Sequence, residues 1–422
     1  MSETRPLPES GEPPHVGPVN DPYGVLKNRD FLLYLISRFI ASFAQQMLAV
    51  TVGWEIYERT KSTLALGYVG MVQMVPMFLF IFPAGHVADN YNRKAVMIWM
   101  QVMYGIACVG LMLVSALGAQ VAWMYAALFL MGVARTYMWP SSASFMPQLV
   151  PRNQFAKAVT WNSGSFQVSA VAGPVAGGLL VALTHSAALV YGLNVAASVA
   201  CIVLLWLVKT HHKVVSPEKM SFASVAAGLK FVYRTKVVLG SITLDLFAVL
   251  LGGATALLPV YAKDILHVDA RGLGWLQAAL PLGSLLMSLI LVHRPPLQRA
   301  GRTLLWSVAG FGLATIGFGY SKWFWVSFAM LFICGLTDYI SVVVRHTLVQ
   351  LLTPDEMRGR VSAVNSLFIG TSNQMGEFES GLVAHWTNPL FAVVSGGVGT
   401  IVVVAIVASL WPEIRRYGRL DA

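Results

Sequence analysis

Residues Gly85–Lys94, "GHVADNYNRK", set a carboxylate, two fixed cations and two asparagines between long apolar runs over residues 62–83 and 95–117. Each run is long enough to cross a hydrocarbon core of about 30 Å as a helix. The polar interval therefore reads as a tight turn at a membrane surface. The rest of the chain follows the same pattern. Apolar residues fill 56% of the 422 positions and charged residues only 11%, whereas soluble domains carry about 25% charged residues. Apolar spans recur at roughly 31–57, 62–86, 95–118, 121–148, 157–183, 187–208, 237–262, 273–293, 303–320, 323–350, 361–385 and 388–411. Lipid offers no water to satisfy backbone N–H and C=O groups, so each span is predicted to be a helix. The expected fold class is an all-α polytopic membrane protein with twelve transmembrane helices.

Charge placement predicts the orientation. With both termini in the cytoplasm, the tails and inward loops hold most of the 29 Lys and Arg, while the outward loops hold only Arg59, Lys61, Lys263, Arg271 and Lys322. That is the positive-inside distribution. The net charge of +10 is then matched to anionic lipid on the inner face, and no folded basic domain suits a nucleic acid. The Pro-rich residues 1–26 lack the apolar core of a secretory signal and read as a disordered cytoplasmic tail. Cys108, Cys201 and Cys334 lie far apart within apolar spans, a spacing that supports neither a metal site nor a disulfide framework. No metal and no cofactor are expected, and the sequence specifies no oligomeric state.

The longest connection, 209–236, divides the chain into an N-terminal six-helix bundle (27–208) and a C-terminal one (237–412), followed by a cytoplasmic tail (413–422). Within the connection, Phe222, Val225, Ala226, Leu229 and Val232 share one helical face, with Lys230, Arg234 and Lys236 on the polar side, which predicts an amphipathic helix lying in the membrane surface. The halves repeat. Displacing the chain so that Leu149 falls on Leu352 also sets Pro151 on Pro354, Asn162 on Asn365, Ser163 on Ser366, Gly173 on Gly376 and Gly178 on Gly381. A parallel duplication of six helices is a transporter architecture whose substrate site lies between the halves. The same displacement pairs Gly132 with Gly335 and Arg135 with Asp338. A slightly longer one sets Arg38 on Asp245.

Ionisable groups deep in lipid cost about 2.5–3.5 kcal/mol each, so they face a cavity or a partner. Arg38, Arg135, Asp245, Asp338, Glu377 and Glu379 stand out. One reading makes them half-to-half contacts that break and re-form as a central cavity opens to alternate sides, with a buried carboxylate, Asp245 first, exchanging protons. The other makes them static pairs, or side chains snorkelling near helix ends. Glu377 and Glu379, two positions apart, cannot share a helix face. In the fifth span, "GSFQVSAVAGPVAGGLL" offers Gly173, Gly177 and Gly178 for close helix contact, while Pro174 removes one backbone donor. Asp89 sits unfavourably at the end of its own helix dipole and wants another partner. The start of the eleventh span, "TPDEMRGR", is a candidate, with Thr353 and Glu356 at capping-box spacing and Arg358 and Arg360 beyond. A solvated loop is the alternative.

The opening stretch, Gly85 through Asp89, Arg93 and Lys94, resembles the signature loop of the major facilitator superfamily, Gly-x-Leu-Ala-Asp-Arg-x-Gly-Arg-Lys, with Val87, Asn90 and Asn92 departing from it. "GPVAGG" at 173–178 resembles the superfamily's antiporter motif, and Arg135 matches the position of its fourth-helix arginine. "LDLFAVLLGGATALLPVYAKDIL" (244–266), "TLVQLLTPDEMRGRVSAVNSLFIG" (347–370) and "NQMGEFESG" (373–381) are similar to its bacterial branch of enterobactin and macrolide exporters. The resemblance implies two pseudo-symmetric six-helix bundles, and a proton-driven exporter of a siderophore-like or drug-like small molecule in a bacterial inner membrane. An importer of a sugar or metabolite is the alternative, and the antiporter-like glycines weigh against it. An enzyme would want a nucleophile with its base, a channel a repeated pore ring, and an ATP-driven pump a phosphate-binding loop; the sequence offers none of these. Trp54, Tyr34, Phe43, Phe247, Tyr261, Phe328 and Tyr339 fall on the first, seventh and tenth spans, which with the fourth are expected to line the cavity, and they suit an aromatic cargo.

Overall fold

The computed structural model describes residues 23–209, 222–294 and 298–418. The helices run in the order α1 (Arg29–Thr60), α2 (Thr63–Asn90), α3 (Arg93–Ala116), α4 (Val121–Leu149), α5 (Phe155–Thr184), α6 (Ala187–Leu207), α7 (Phe222–Arg234), α8 (Lys236–Leu251), α9 (Leu258–Val260), α10 (Ala270–Val292), α11 (Ala300–Tyr320), α12 (Phe324–Leu352), α13 (Asp355–Trp386), α14 (Pro389–Leu410) and α15 (Pro412–Arg416). Eleven spans among the described residues are long and apolar enough to cross a membrane. The twelfth crossing is α13, 32 residues long, whose acids, amides and charged first turns dilute its hydropathy. It packs on α2, α8 and α14, so protein covers much of what lipid would penalise.

Local chemistry sets the helix starts. Asn28, Ser62, Asn92, Asp269 and Asn388 each accept hydrogen bonds from first-turn N–H groups, relieving donors that no helix can satisfy internally. The capping box expected at Thr353 does not form. Its hydroxyl turns back to donate to the Val349 carbonyl at 2.5 Å, closing the end of α12, and Pro354 takes the cap position of α13. Helix α13 also begins at Asp355 rather than 361, because helix continues through charged turns that hydropathy cannot register. The seventh span is broken. Beyond α8 come Gly252 and Gly253, a 3-10 turn (Ala254–Leu257), α9 and a π-turn (Tyr261–Ile265). A Cβ on Gly253 would run into the Gly376 carbonyl, so this irregular backbone is covered by α13, the condition under which it survives at membrane depth.

Two expectations on the connections change. Helix α7 lies against α13: Gly228 abuts the Arg360 carbonyl, and Val232 is buried with Val238, Ile242, Val361 and Val364. Tyr233 and Leu229 remain exposed. Protein thus takes part of the apolar face assigned to the membrane surface. The side chains of Phe222 and Val225 lie outside the described residues, as do 210–221 and all of the expected N-terminal tail before residue 23. The tail set at 413 is docked through residue 416: Ile414 of α15 is fully buried against Gly240 and Gly301, and Glu413 pairs with Lys236 at 3.1 Å.

The duplicated pattern is built in three dimensions. Gly132 of α4 meets Pro76 of α2, and Gly335 of α12 meets the Leu280 carbonyl of α10, the same crossing of fourth on second helix in each half. Between halves the exchange is reciprocal. Helix α5 packs on α10, where a Cβ on Gly178 would strike the Ala270 carbonyl and one on Gly274 would stand 2.5 Å from the Pro174 carbonyl. Helix α13 packs on α2, where a Cβ on Gly381 would stand 2.7 Å from the Gly67 Cα. The displacement that sets Arg38 on Asp245 also sets Gly67 on Gly274, so the two crossings are one contact made twice.

An even number of crossings puts both described chain ends at one end of the bundles, the terminal end. The core differs sharply between this end and the distal one. At the distal end two apolar clusters join the halves: Ile56, Leu66 and Leu128 share the larger with Leu257, Tyr261, Leu273 and Ala384, and Met47, Val181 and Val190 share the smaller with Ala270. At the terminal end the clusters are separate: Phe31, Tyr34, Met97, Phe145 and Leu205 in one half, Leu244, Leu304, Val344 and Val407 in the other. The halves are fused distally and divided terminally. Gly178→Val and Gly381→Val should each loosen the distal junction. The check is a bifunctional thiol crosslinker between cysteines placed at Glu58 and Lys263, whose yield should fall several-fold in either variant.

Candidate functional site

The distal junction is locked by polar contacts beyond its apolar core. Glu58 of α1 forms an ion pair with Lys263 of the π-turn, and the Tyr57 hydroxyl donates to Asp264. The Lys263 ammonium lies 5.5 Å from the centre of the Trp54 ring, a cation–π distance. Within the N-terminal half, Glu55 accepts from the Tyr191 hydroxyl at 2.7 Å and pairs with Arg59 at 2.6 Å, while Arg59 donates to the Ala119 and Ser115 carbonyls. Sequence reading assigned Arg59 and Lys263 to outward loops and passed over Glu55, although the Glu55–Arg59 spacing is that of one helical turn.

The structure pairs Asp245 with a residue that the sequence reading overlooked. Asp245 of α8 forms an ion pair with Arg345 of α12 inside the C-terminal bundle, the two side chains 10% and 3% exposed. A charge alone at that depth would be far more costly than the pair. The signal was present in the sequence: Arg345 interrupts the run "ISVVVRHTLV", and no loop accounts for it.

Arg135 and Asp338 align in the repeat but have different neighbours. Arg135 shares a cavity with Arg38 inside the N-terminal half, lined from α1, α3, α4 and α6. Asp338 is half-buried on α12 one turn from Cys334. The acid on which the charge of Arg135 bears is Glu377, across the seam. Glu377 stands at the crossing of α13 on α2, its Oε2 only 2.9 Å from where a Cβ on Gly70 would be. Next to it Phe378 stacks on Tyr68 at 6.0 Å. Glu379 lies on another face beside Ser380.

Gly173 and Gly177 of α5 pack on α1 at Phe43, Gln46 and Met47, while Gly178 alone of the motif faces the other half. Pro174 lies within α5 and lends its carbonyl to the Gly274 contact. In the opening stretch, Gly85 is buried near the end of α2. Arg93 donates to the Ala88 and Ser144 carbonyls, and Lys94 to the Trp206 and Val208 carbonyls at the end of α6. Cations on helix C-terminal carbonyls are well placed, so Lys94 ties α3 to the end of α6 within its own half. The charges bearing on Asp89 are Arg93 and His86 of the same bundle, while α7 covers the start of α13. Of the aromatic candidates, Tyr34 and Tyr261 are fully buried and hydrogen-bonded to Ser142 and to the Gly319 carbonyl, so they serve the bundle cores. Phe247 remains exposed.

A family model described as Major Facilitator Superfamily matches residues 34–374. A curated relative, the enterobactin exporter EntS of Escherichia coli O1:K1 / APEC, is 25% identical over 391 residues, covering 92% of this chain and 93% of that protein. The enterobactin exporter EntS of Shigella boydii serotype 18 matches to the same extent. Among solved structures, the nucleoside transporter NupG superposes with a TM-score of 0.71 at 12% identity, covering 90% of this chain and 100% of that one. A bacterial homolog of the human lysosomal transporter Spinster, inward-facing and occupied, also gives 0.71, at 15% identity over 94% of this chain and 98% of that one. At these identities the likeness establishes the fold alone.

The buried pair sets a stability test. Asp245→Asn or Arg345→Met alone should destabilise the protein by about 3–5 kcal/mol, because each leaves its partner buried and uncompensated, whereas the double replacement should recover most of that stability. Thermal unfolding of the four proteins in detergent measures the cycle.

Proposed function

The chain belongs to the major facilitator superfamily, and from that premise we propose that it is a secondary-active exporter, moving a small molecule out through the bacterial inner membrane by alternating access and driven by protons. It is a multi-pass membrane transporter. The finer reading rests on one observation above all: the halves share apolar core and two glycine crossings at the distal end, while their cores are separate at the terminal end. That is the arrangement of a carrier whose cavity opens toward its termini, which the charge distribution assigns to the cytoplasm. A carrier open there is positioned to collect cargo from the cell. The exporter names of its curated relatives, and the glycine motif packed between α1 and α10, support the same direction. The cargo would be siderophore-like or drug-like.

Two sets of charges supply the coupling. Glu377 faces Arg135 across the seam, and Asp245 is paired with Arg345 within one half. A proton on Glu377 removes its attraction to Arg135 and weakens the hold of α13 on the N-terminal bundle. A proton on Asp245 releases Arg345. Each protonation shifts the balance between the two openings by the free energy of the attraction it removes. Asp338 and Glu379 are further acids of the same bundle within reach of a proton path, Arg38 sits behind Arg135, and the loop holding Gly85, Asp89, Arg93 and Lys94 braces the N-terminal half at its terminal end as that half moves.

An untargeted comparison of medium and cell metabolites, with and without the protein and in iron-starved as well as replete growth, tests the direction. At least one small molecule should gather in the medium only when the protein is present; a molecule drawn into the cell instead would make it an importer. In inside-out vesicles, Glu377→Gln and Asp245→Asn should each lower gradient-driven uptake of that molecule by about tenfold or more, as removal of a coupling of about 1.4 kcal/mol requires. Undiminished uptake would remove the altered residue from coupling.

A further inference from the structure

The cavity lined from α1, α3, α4 and α6 holds two guanidinium groups, Arg38 and Arg135, and no carboxylate lines it. Its volume is about 40 Å³, room for one small functional group rather than for a whole cargo molecule. Two polar atoms in it are buried without a hydrogen-bond partner, Nε of Arg38 and the hydroxyl of Tyr104. The Arg38 Nε–H can only donate and the Tyr104 hydroxyl can also donate, so one acceptor group would satisfy both. Gln101 is already engaged, its Nε2 donating to the Ser198 hydroxyl at 3.0 Å, and Ser42 and Gln45 complete the polar lining.

This is a costly arrangement. Fixed cations at membrane depth are each unfavourable by about 2.5–3.5 kcal/mol, and here two share one cavity and repel each other. The contrast with Arg345 is direct: there the fold supplies Asp245 in contact, whereas at Arg38 and Arg135 it supplies no anion in contact among the described residues. Arg135 is solvent-exposed while Arg38 is half-buried, so the cavity has its mouth at Arg135, toward the seam, and its floor at Arg38.

We propose that this cavity is an anion seat for the cargo: a carboxylate or phosphate-like group enters past Arg135, is received by Arg38 and Arg135 with the Tyr104 hydroxyl as a third donor, and leaves the remainder of the molecule in the seam. Planar guanidinium groups suit such groups because they bind them through paired N–H donors. The inference rests on the transporter reading for its biology and names the class of cargo: small molecules carrying an exposed anionic group. It also ties cargo to coupling, because an anion on Arg135 competes with Glu377 for the same charge.

The test is binding to the full-length protein in lipid nanodiscs, followed by thermal unfolding at matched ionic strength. The probes are benzoate, naphthoate and phenyl phosphate, with benzyl alcohol, naphthol and phenol as uncharged counterparts and sodium chloride as the salt control. At least one anion should raise the unfolding temperature by several degrees in a saturable way, its neutral counterpart should not, and Arg38→Gln and Arg135→Gln should each abolish the shift. Without any probe, Arg38→Gln should unfold at the wild-type temperature or above it, since it removes a cation with no anion in contact among the described residues. No response to any anion, an equal response to chloride, a response surviving both substitutions, or lowered stability of the bare Arg38→Gln variant would each overturn the assignment. Vesicle uptake separates this outcome from the broader one. Gradient-driven transport of a molecule indifferent to these anions would retain the transporter and dismiss the seat. Anion binding abolished in both variants without any gradient-driven uptake would do the reverse.

Discussion

A helix crossing that leaves no room for a Cβ fixes how two bundles can meet. In lipid, apolar side chains gain little by leaving one hydrocarbon environment for another, so helices associate through close van der Waals fit and backbone approach. Gly178 against Gly274 and Gly67 against Gly381 provide that approach twice, by the same pair of helices exchanged between halves. Both crossings lie near the distal end, and the shared apolar core lies there with them. Everything toward the termini is then free to be two separate bodies, each with its own core. The cavity, the seam and the state of opening all follow from where those glycines sit along their helices.

The charges fall into three kinds, distinguished by what compensates them. Asp245 and Arg345 neutralise each other within one bundle, although the Arg345 Nε stays buried without a hydrogen-bond partner. Glu58 with Lys263 and Tyr57 with Asp264 span the halves at the distal surface; water screens such contacts, so they add a directional lock to a junction that packing already makes. Among the described residues Arg38 and Arg135 have no anion in contact, and Glu377 bears on Arg135 only through its field across the seam. Buried cost without local return is the mark of a group whose partner arrives from elsewhere.

The broken seventh span ties the charges of one bundle to the seam between the halves. Regular helix satisfies its own backbone and resists local bending. Gly252 and Gly253 interrupt it where α13 and Phe311 press closest, and the chain re-forms as a π-turn that carries Lys263 and Asp264 to the end of α1. The same segment thus carries Asp245 inside its own bundle and the lock at the seam.

Much of this was legible in the sequence for a plain reason: lipid enforces one rule on every residue that crosses it, so hydropathy alone marks the spans, and only α13, with its load of polar groups, blurs the pattern. The repeat was legible too, because Gly132 with Gly335 and Gly178 with Gly381 occupy equivalent crossings and cannot be replaced without separating helices. Pairing was not. Arg135 and Asp338 align in the repeat, yet equivalence under a pseudo-twofold relation is not contact: Asp245 pairs with Arg345, and the acid that the charge of Arg135 reaches is Glu377. Helix rotation about its own axis decides which of two neighbouring acids faces a cavity, and no one-dimensional pattern records it. The sequence by itself determined twelve crossings, their duplication and the depth of each charge, since these depend on solvent. Which charges meet, and which end of the molecule is closed, was decided only by tertiary packing, where backbone approach at a few glycines fixes the distance between everything else.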